Sequence, residues 1–256
     1  MHFNKNHAEP SLVALRRIIR ENPLGIFTTA IDSAEHPLLQ SSHIPFLLDV
    51  GDESSETELG RLRGHLARMN PQSKAIMDEV AAAGSGGPYL EREVLILFTS
   101  SAHHYVTPKF YRETKPTTGK VVPTWNYSAV QVYGKARVYV DARAEETGAF
   151  LGQQIHDLSE HCERTIMGYT GEGDRPGPWK VTDAPERYTE LLRKAIIGVE
   201  VEVTRMEGKF KMSQEMPDGD IDGVIAGFRG LGSEVGREMA DVVEERKDLK
   251  TKKKDS

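Results

Sequence analysis

Three stretches of the chain are polar, aromatic and compact in a way that neither a core nor a plain loop requires. The first is residues 40–46 (QSSHIPF), at the end of an apolar strand pattern, and the second is 64–71 (GHLARMNP), a strand pattern running into a helix start. The third is 101–108 (SAHHYVTP), continued by 123–127 (PTWNY). A helix that begins at Pro71 with Asn70 as its cap presents backbone N–H groups, and Arg68 and His65 beside them complete an anion site. Ser42, Tyr105, Thr107 and Asn126 add neutral donors and acceptors, and Trp125 adds a flat face. Such an inventory suits a planar, phosphorylated heterocycle. A plainer reading of the same residues stays open. In it Asn70 caps a helix, His65 and Arg68 lie on the surface, Trp125 and Tyr127 are sheet aromatics, and Pro108 and Pro123 stiffen loops.

Other chemistries find less support. The glycines at 84, 86 and 87 follow a helix pattern and precede Pro88, and Gly227, Gly230, Gly232 and Gly236 lack both the spacing and the preceding strand of a dinucleotide fingerprint. There is no P-loop, no HExxH and no GxSxG. On a strand the adjacent His103 and His104 point to opposite faces, and His156 and His161 are five apart, off a common helical face. No metal site is read. Cys162 stands alone, which excludes an intramolecular disulfide, and Glu160 and Glu163 beside it would raise its pKa. No residue is assigned as a general acid, base or nucleophile.

The elements that position these groups follow from periodicity and caps. Residues 11–21 put Leu12, Leu15, Ile18 and Ile19 on one helical stripe, with Ser11 as cap and Asn22-Pro23 as the stop. Strands are expected over 25–31, over 38–48 with an interruption near Pro45, and over 61–66. A helix capped by Asn70 runs through Ile76 and Val80, and 83–88 is a flexible break. The apolar run 94–99 is a buried strand. The longest strand is 127–140, where Val130, Val132, Ala136, Val138 and Val140 alternate with polar and aromatic residues and Gly134 marks a bend or bulge. Helices follow at 144–162 and 186–194, a strand at 196–203, and a glycine-broken helical region from Ile221. Runs of strands without strand–helix alternation indicate α+β around an antiparallel sheet, and six or seven strands could close as a small barrel.

Composition bounds the rest. The chain has 256 residues, 38% of them apolar and 28% charged, too apolar for a wholly disordered chain. Net charge is −6, but residues 246–256 hold six basic and two acidic side chains, which leaves −10 on the remainder. An acidic body makes direct nucleic-acid binding unfavourable, and the basic end reads as a frayed, solvated terminus. No run of eighteen apolar residues is present and residues 1–5 carry no basic-then-apolar leader, so a cytoplasmic protein without a membrane span is expected.

Residues 64–71 (GHLARMNP), 43–46 (HIPF), 123–127 (PTWNY), 130–134 (VQVYG) and 208–214 (GKFKMSQ), taken in order, resemble the PaiB family of FMN-binding split-barrel proteins, known as negative transcriptional regulators. The resemblance covers residues 1–235, leaving 236–256 as a C-terminal helix end and basic tail. It implies a split β-barrel with a Greek-key-like antiparallel sheet and peripheral helices, and a homodimer with FMN at its interface. By the same resemblance Arg68, His65 and Asn70 lie near the flavin phosphate, and Ser42 and His43 come from the adjacent strand. Trp125, Asn126 and Tyr127 line the flavin or the dimer seam, with Tyr105 and Thr107 nearby, and Lys209 and Gln214 complete the pocket from the other subunit. The chain departs from the family pattern at His104, Thr107 and Phe110, where a small residue, serine and tryptophan are more usual, and at Glu215, where asparagine is. Dimerisation is further expected from Tyr133 and Tyr139 as exposed aromatics on the long strand. A flavin-dependent oxidoreductase or an indirect regulator acting through metabolite turnover is the function implied. The alternatives are a DNA-binding regulator and a haem protein using His43, His65, His103 or His104.

Overall fold

The computed structural model describes residues 4–84 and 87–254; Ser85 and Gly86 of the expected flexible break, the N-terminal residues 1–3 and the last two residues lie outside them. The elements are β1 (Ala8–Glu9), α1 (Leu12–Glu21), β2 (Leu24–Ala30), β3 (Leu39–Pro45), β4 (Leu47–Asp49), β5 (Arg61–Ala67) and α2 (Pro71–Ala83). There follow β6 (Val94–Thr99), β7 (His104–Val106), α3 (Thr114–Thr117), β8 (Thr124–Tyr139) and α4 (Glu145–His161). The chain ends with α5 (Glu186–Lys194), β9 (Ile196–Lys211), α6 (Asp218–Arg229) and α7 (Glu234–Lys254).

The strands form one sheet with the path β3-β2-β6-β8-β9-β5-β4, to which β1 adds at β9 and β7 at β8. β2 pairs antiparallel with β3 and β6, and β5 with β4 and β9. β3 and β4 stand at opposite ends of that path, yet only Phe46 separates them in the chain. A sheet whose two end strands are one kinked strand must curl, and β3 indeed lies against β5. Closure of this kind removes exposed strand edges. The fold is α+β with a curled antiparallel sheet.

Two compact units are distinguishable by contacts. One comprises residues 23–97 and 132–206, the other residues 1–22, 98–131 and 207–256. In the first, burial alternates along the strands as a period of two demands. Leu62, Gly64 and Leu66 of β5, Val132, Ala136 and Val138 of β8, and Ile197, Val199 and Val201 of β9 are buried. Each such Val, Leu or Ile side chain contributes about 1.5–3 kcal/mol. Gly134 lies inside an unbroken strand rather than at a bulge. A Cβ there would stand 2.3 Å from the carbonyl oxygen of Glu202, so the neighbouring backbone demands glycine. α4 covers the outer face of β5, where Arg63 donates to Asp157 (3.0 Å) and to Asp49, and Gln154 donates to the Arg63 carbonyl oxygen (3.2 Å). Tyr139 corrects one expectation. It is 7% exposed and stacks on Phe150 of α4 with ring centroids 3.9 Å apart, while Tyr133 lies under the guanidinium of Arg205. These two aromatics of β8 are therefore contacted by their own chain.

In the second unit Ser11 caps α1, its Oγ accepting the N–H of Ala14 (3.3 Å), and Leu15, Ile18 and Ile19 are buried. Residues 246–250 of the basic end are docked rather than frayed. Arg246 pairs with Glu9 and lies 3.6 Å over the Phe210 ring, Lys247 pairs with Asp222, and Lys250 Nζ donates to the Met216 carbonyl oxygen (3.0 Å). Helix α7 runs on to Lys254. Among the described residues no helix is long and apolar enough to cross a membrane.

Candidate functional site

Five of the twelve expected site residues fall in the unit of residues 23–97 and 132–206. Asn70 has extended backbone (φ −61°, ψ 133°) and caps α2: its Oδ1 accepts the N–H of Gln72 (2.9 Å), and its Nδ2 donates to Ser42 Oγ (2.9 Å). The cap thus ties the helix start to β3. An open cleft of about 530 Å³ lies there, lined by Gln40, Ser41, Ser42, Ala67, Asn70, Pro71 and Gln72. Its size suits a small-molecule site. Gln72 is buried and donates from Nε2 to Phe27 O (3.1 Å), Thr29 Oγ1 (3.0 Å) and Gln40 O (3.2 Å). The Oε1 of Gln72 and the Nε2 of Gln40 are both buried without a protein partner. One acceptor and one donor are left incomplete at this cleft, each at a cost of about 1–3 kcal/mol unless something completes it. Neither glutamine was among the residues expected from sequence.

The remaining three residues of this group are placed otherwise. His43 is exposed, on the strand face opposite to Ser42. His65 shares the outer face of β5 with Arg63, is opposite Gly198 in the register, and has a buried Nδ1 without a partner; burial pushes its pKa down, so the ring is neutral near pH 7. Arg68 is occupied. Its Nη2 donates to Val140 O (2.7 Å) and Ile196 O (3.4 Å), its Nε to Lys194 O (3.3 Å), and its Nη1 contacts Met77 Sδ at 3.1 Å. Its own N–H donates to Ala195 O (2.8 Å). The guanidinium clamps the end of β8 and the approach to β9 against α2, and a phosphate would have to displace those carbonyls.

The other seven lie in the second unit. Tyr105 of β7 is opposite Trp125 of β8, both exposed, with rings edge-to-face at 6.4 Å; Trp125 Nε1 donates to His103 Nδ1 (3.3 Å). Lys209 is buried with its Nζ 5.6 Å from the Tyr127 ring centroid. Lys211, two residues on and on the same strand face, donates to Thr124 Oγ1 and to Trp125 O (3.2 Å). Burial pushes the Lys211 pKa down, against the opposing pull of Glu215. Lys209 thus lies beside the Tyr127 ring, and Lys211 beside the Thr124–Trp125 backbone. Lys211 was missed from sequence, although its alternation with Lys209 in GKFK signals a shared face.

Asn126, Gln214 and Thr107 instead shape the backbone. Buried Asn126 exchanges hydrogen bonds with Ser213 (3.0 and 3.2 Å), which holds a positive φ of 61°. The Gln214 amide accepts from Met212 N (2.6 Å) and donates to Phe210 O (2.5 Å), closing its own turn. Thr107 Oγ1 accepts the N–H of Lys109 (3.2 Å) at the start of a 3₁₀ turn. The departures from the family pattern have local reasons. His104 and Phe110 both set ring edges against Phe228 of α6 at 5.6 Å, and Glu215 pairs with His7 at 2.9 Å. The Cys162 thiol is pushed up in pKa, by burial first and by Glu163 second. Among the described residues no three or more His, Cys, Asp and Glu side chains are grouped as a metal site.

Comparison with known proteins supplies the family. The model described as "Putative FMN-binding domain" matches residues 1–205. An uncharacterized protein of Aspergillus fumigatus is 60% identical over 262 residues, covering 99% of this chain and all of the relative. The protease synthase and sporulation protein PAI 2 of Bacillus subtilis is 24% identical over 228 residues, 89% of each chain. Among solved structures, the FAD and heme binding protein from Mycobacterium smegmatis aligns at a TM-score of 0.44 and 16% identity, covering 86% of this chain and 80% of that one. With its first 205 residues matched by one family model, the chain belongs to the "Putative FMN-binding domain" family.

Proposed function

We propose that this chain binds FMN, with the flavin ring taken up by the cleft between β3 and the start of α2, and that it serves as a flavin-dependent redox protein. The observation that carries this reading is the cleft whose lining includes Gln40 and Gln72, the first with a side-chain donor and the second with a side-chain acceptor that has no protein partner. The pyrimidine edge of a flavin alternates carbonyl acceptors with an N–H donor, which is the complement of that pair. The residues present therefore fit the ring. When bound, the isoalloxazine supplies one- and two-electron chemistry that no amino acid can.

The chain's own groups bind and orient. The Asn70–Ser42 hydrogen bond fixes the cleft wall, Ser42 offers a hydroxyl, and the N-terminal end of α2 favours negative charge nearby. A role in transcription would be indirect, because a body carrying −10 apart from its basic end repels a nucleic-acid backbone.

The test is an absorbance and fluorescence titration of the purified full chain with FMN, wild type against Gln40→Ala. Saturable quenching of flavin fluorescence, weakened about tenfold by the loss of one hydrogen-bonding group, is expected. A colourless protein that leaves added FMN unquenched overturns the proposal, and a Soret band in the purified protein would assign haem in its place.

A further inference from the structure

A second cleft, of about 700 Å³, opens within the unit of residues 1–22, 98–131 and 207–256, where the segment around β1 meets the C-terminal half of α7. It shares no residue with the β3–α2 cleft. Apolar Ala8, Pro10 and Leu249 line it beside five charged side chains, and most of those charges are engaged within the protein. Glu9 accepts the N–H of Ser11 at Oε1 (2.9 Å) and pairs through Oε2 with Arg246. Glu245 pairs with Arg17 (3.6 Å), and Lys250 Nζ donates to Met216 O (3.0 Å) and lies 3.3 Å from Asp218. Arg246 is different. Its side chain is 10% exposed and is steadied by the Phe210 ring, yet among the described residues only Nη1 is hydrogen-bonded, to Glu9. Its Nε is buried without a partner, and no hydrogen bond is formed to Nη2. In a guanidinium the Nε–H and one N–H of Nη2 point the same way and form a fork that takes a carboxylate or phosphate through two parallel bonds. With Glu9 on Nη1, that fork is left open. A buried donor without an acceptor is costly, and an oxyanion seated in the cleft relieves it. Lys5, exposed and without an ion pair among the described residues, lines the same cleft as a second cation.

We infer that this cleft binds a small organic oxyanion, a carboxylate or phosphate carried on a compact apolar body, with the Arg246 fork as its anchor and Lys5 as the supporting charge. The Glu9 pair and the Phe210 ring hold the guanidinium in advance, so little side-chain freedom is lost when the anion arrives. The cleft is large enough for a metabolite-sized ligand, and Ala8, Pro10 and Leu249 give its apolar part a surface to cover. Two sources share this chemistry, a free metabolite and the phosphate of FMN itself. The apolar lining favours the first, because the flavin phosphate is carried on a polyhydroxylated chain that gains little from such a wall. The assignment stands independently of flavin binding in the β3–α2 cleft.

The test is the arginine Nε–H spectrum of the ¹⁵N-arginine-labelled full chain, titrated with benzoate and with phenyl phosphate. Benzyl alcohol is the uncharged control, and circular dichroism reports folding. The Arg246 resonance, assigned by its loss in Arg246→Lys, should shift and saturate with one or both anions and stay unmoved by benzyl alcohol. Arg246→Lys keeps the charge but lacks the fork, and should weaken binding at least tenfold by calorimetry. Lys5→Glu reverses an exposed charge, and should weaken binding about threefold or more in a folded chain. Both anions should still bind when FMN is present in excess. A resonance that neither anion moves overturns the inference, and so does a folded Arg246→Lys or Lys5→Glu variant that binds as tightly as the wild type. FMN that moves the Arg246 resonance and excludes the anions assigns the cleft to the flavin phosphate and overturns it as well. A chain that binds the anions but no FMN leaves this inference standing while the flavin reading falls.

Discussion

Arg68 is where the two readings of the sequence divide, and its replacement by alanine separates them. As a phosphate ligand, its loss would weaken FMN binding and leave the fold intact. As the clamp seen here, its loss strands the carbonyls of Val140, Lys194 and Ile196. The bond to Val140 O, at 2.7 Å, is short and charge-assisted, worth about 1.5–3 kcal/mol. The bonds at 3.3 and 3.4 Å are at the long limit and add less. Half-burial screens all of them, so a total of about 2–4 kcal/mol is expected, with the lost packing against Met77 included. For a chain of this length each kcal/mol moves Tm by about 2–4 °C, so Arg68→Ala should lower Tm by roughly 4–16 °C. Arg68→Lys should recover only part of that, because one ammonium cannot span three diverging carbonyls. The assay pairs a calorimetric melt with an FMN titration in the cold, where the variant is still folded. The clamp account requires a lower Tm and an FMN affinity within about threefold of wild type. An unchanged Tm with an affinity reduced tenfold or more would refute it.

Three further outcomes follow from the geometry. Burial holds the folded His65 pKa below the ordinary 6.5, so the unfolded chain takes up the proton first; stability is full above that value and declines as pH falls from it toward the folded pKa, and His65→Gln should flatten this slope in urea melts across pH. Gly134→Ala places a Cβ 2.3 Å from Glu202 O and should cost at least about 2 kcal/mol, read as a lower midpoint of denaturation or loss of soluble protein. Asn70→Ala should cost about 1 kcal/mol as a lost cap; Asn70→Asp should keep the cap but lose the donation to Ser42, so a melt separates the two variants while both weaken flavin binding.

Where one element carries its own signal, sequence and structure agree closely. Ser11 and Asn70 cap the helices that begin after them, Val94–Thr99 is a strand over the span its apolar run marks, and Glu186–Lys194 is a helix over the expected residues. β9 runs to Lys211, eight residues beyond the expected end, because Thr204 and Arg205 interrupt the apolar run while the backbone pairing continues to Lys209. β1 and β7, of two and three residues, are too short to show any period. Cleft and clamp required the fold. Arg68 meets carbonyls from residues 140, 194 and 196, and backbone oxygens leave no trace in residue type. Gln72 reaches β2 and β3 across more than thirty residues, so nothing local distinguishes it from an ordinary second residue of a helix.

The most direct test of flavin binding in the β3–α2 cleft is the glutamine side-chain amide spectrum of ¹⁵N-glutamine-labelled full chain as FMN is added. Two resonances, assigned by their loss in Gln40→Ala and Gln72→Leu, should shift and saturate at one FMN per chain, Gln40 most because its amide gains the acceptor it lacks. FMN that binds with both resonances unmoved would place the cofactor elsewhere, and FMN that does not bind at all would contradict the account at its root.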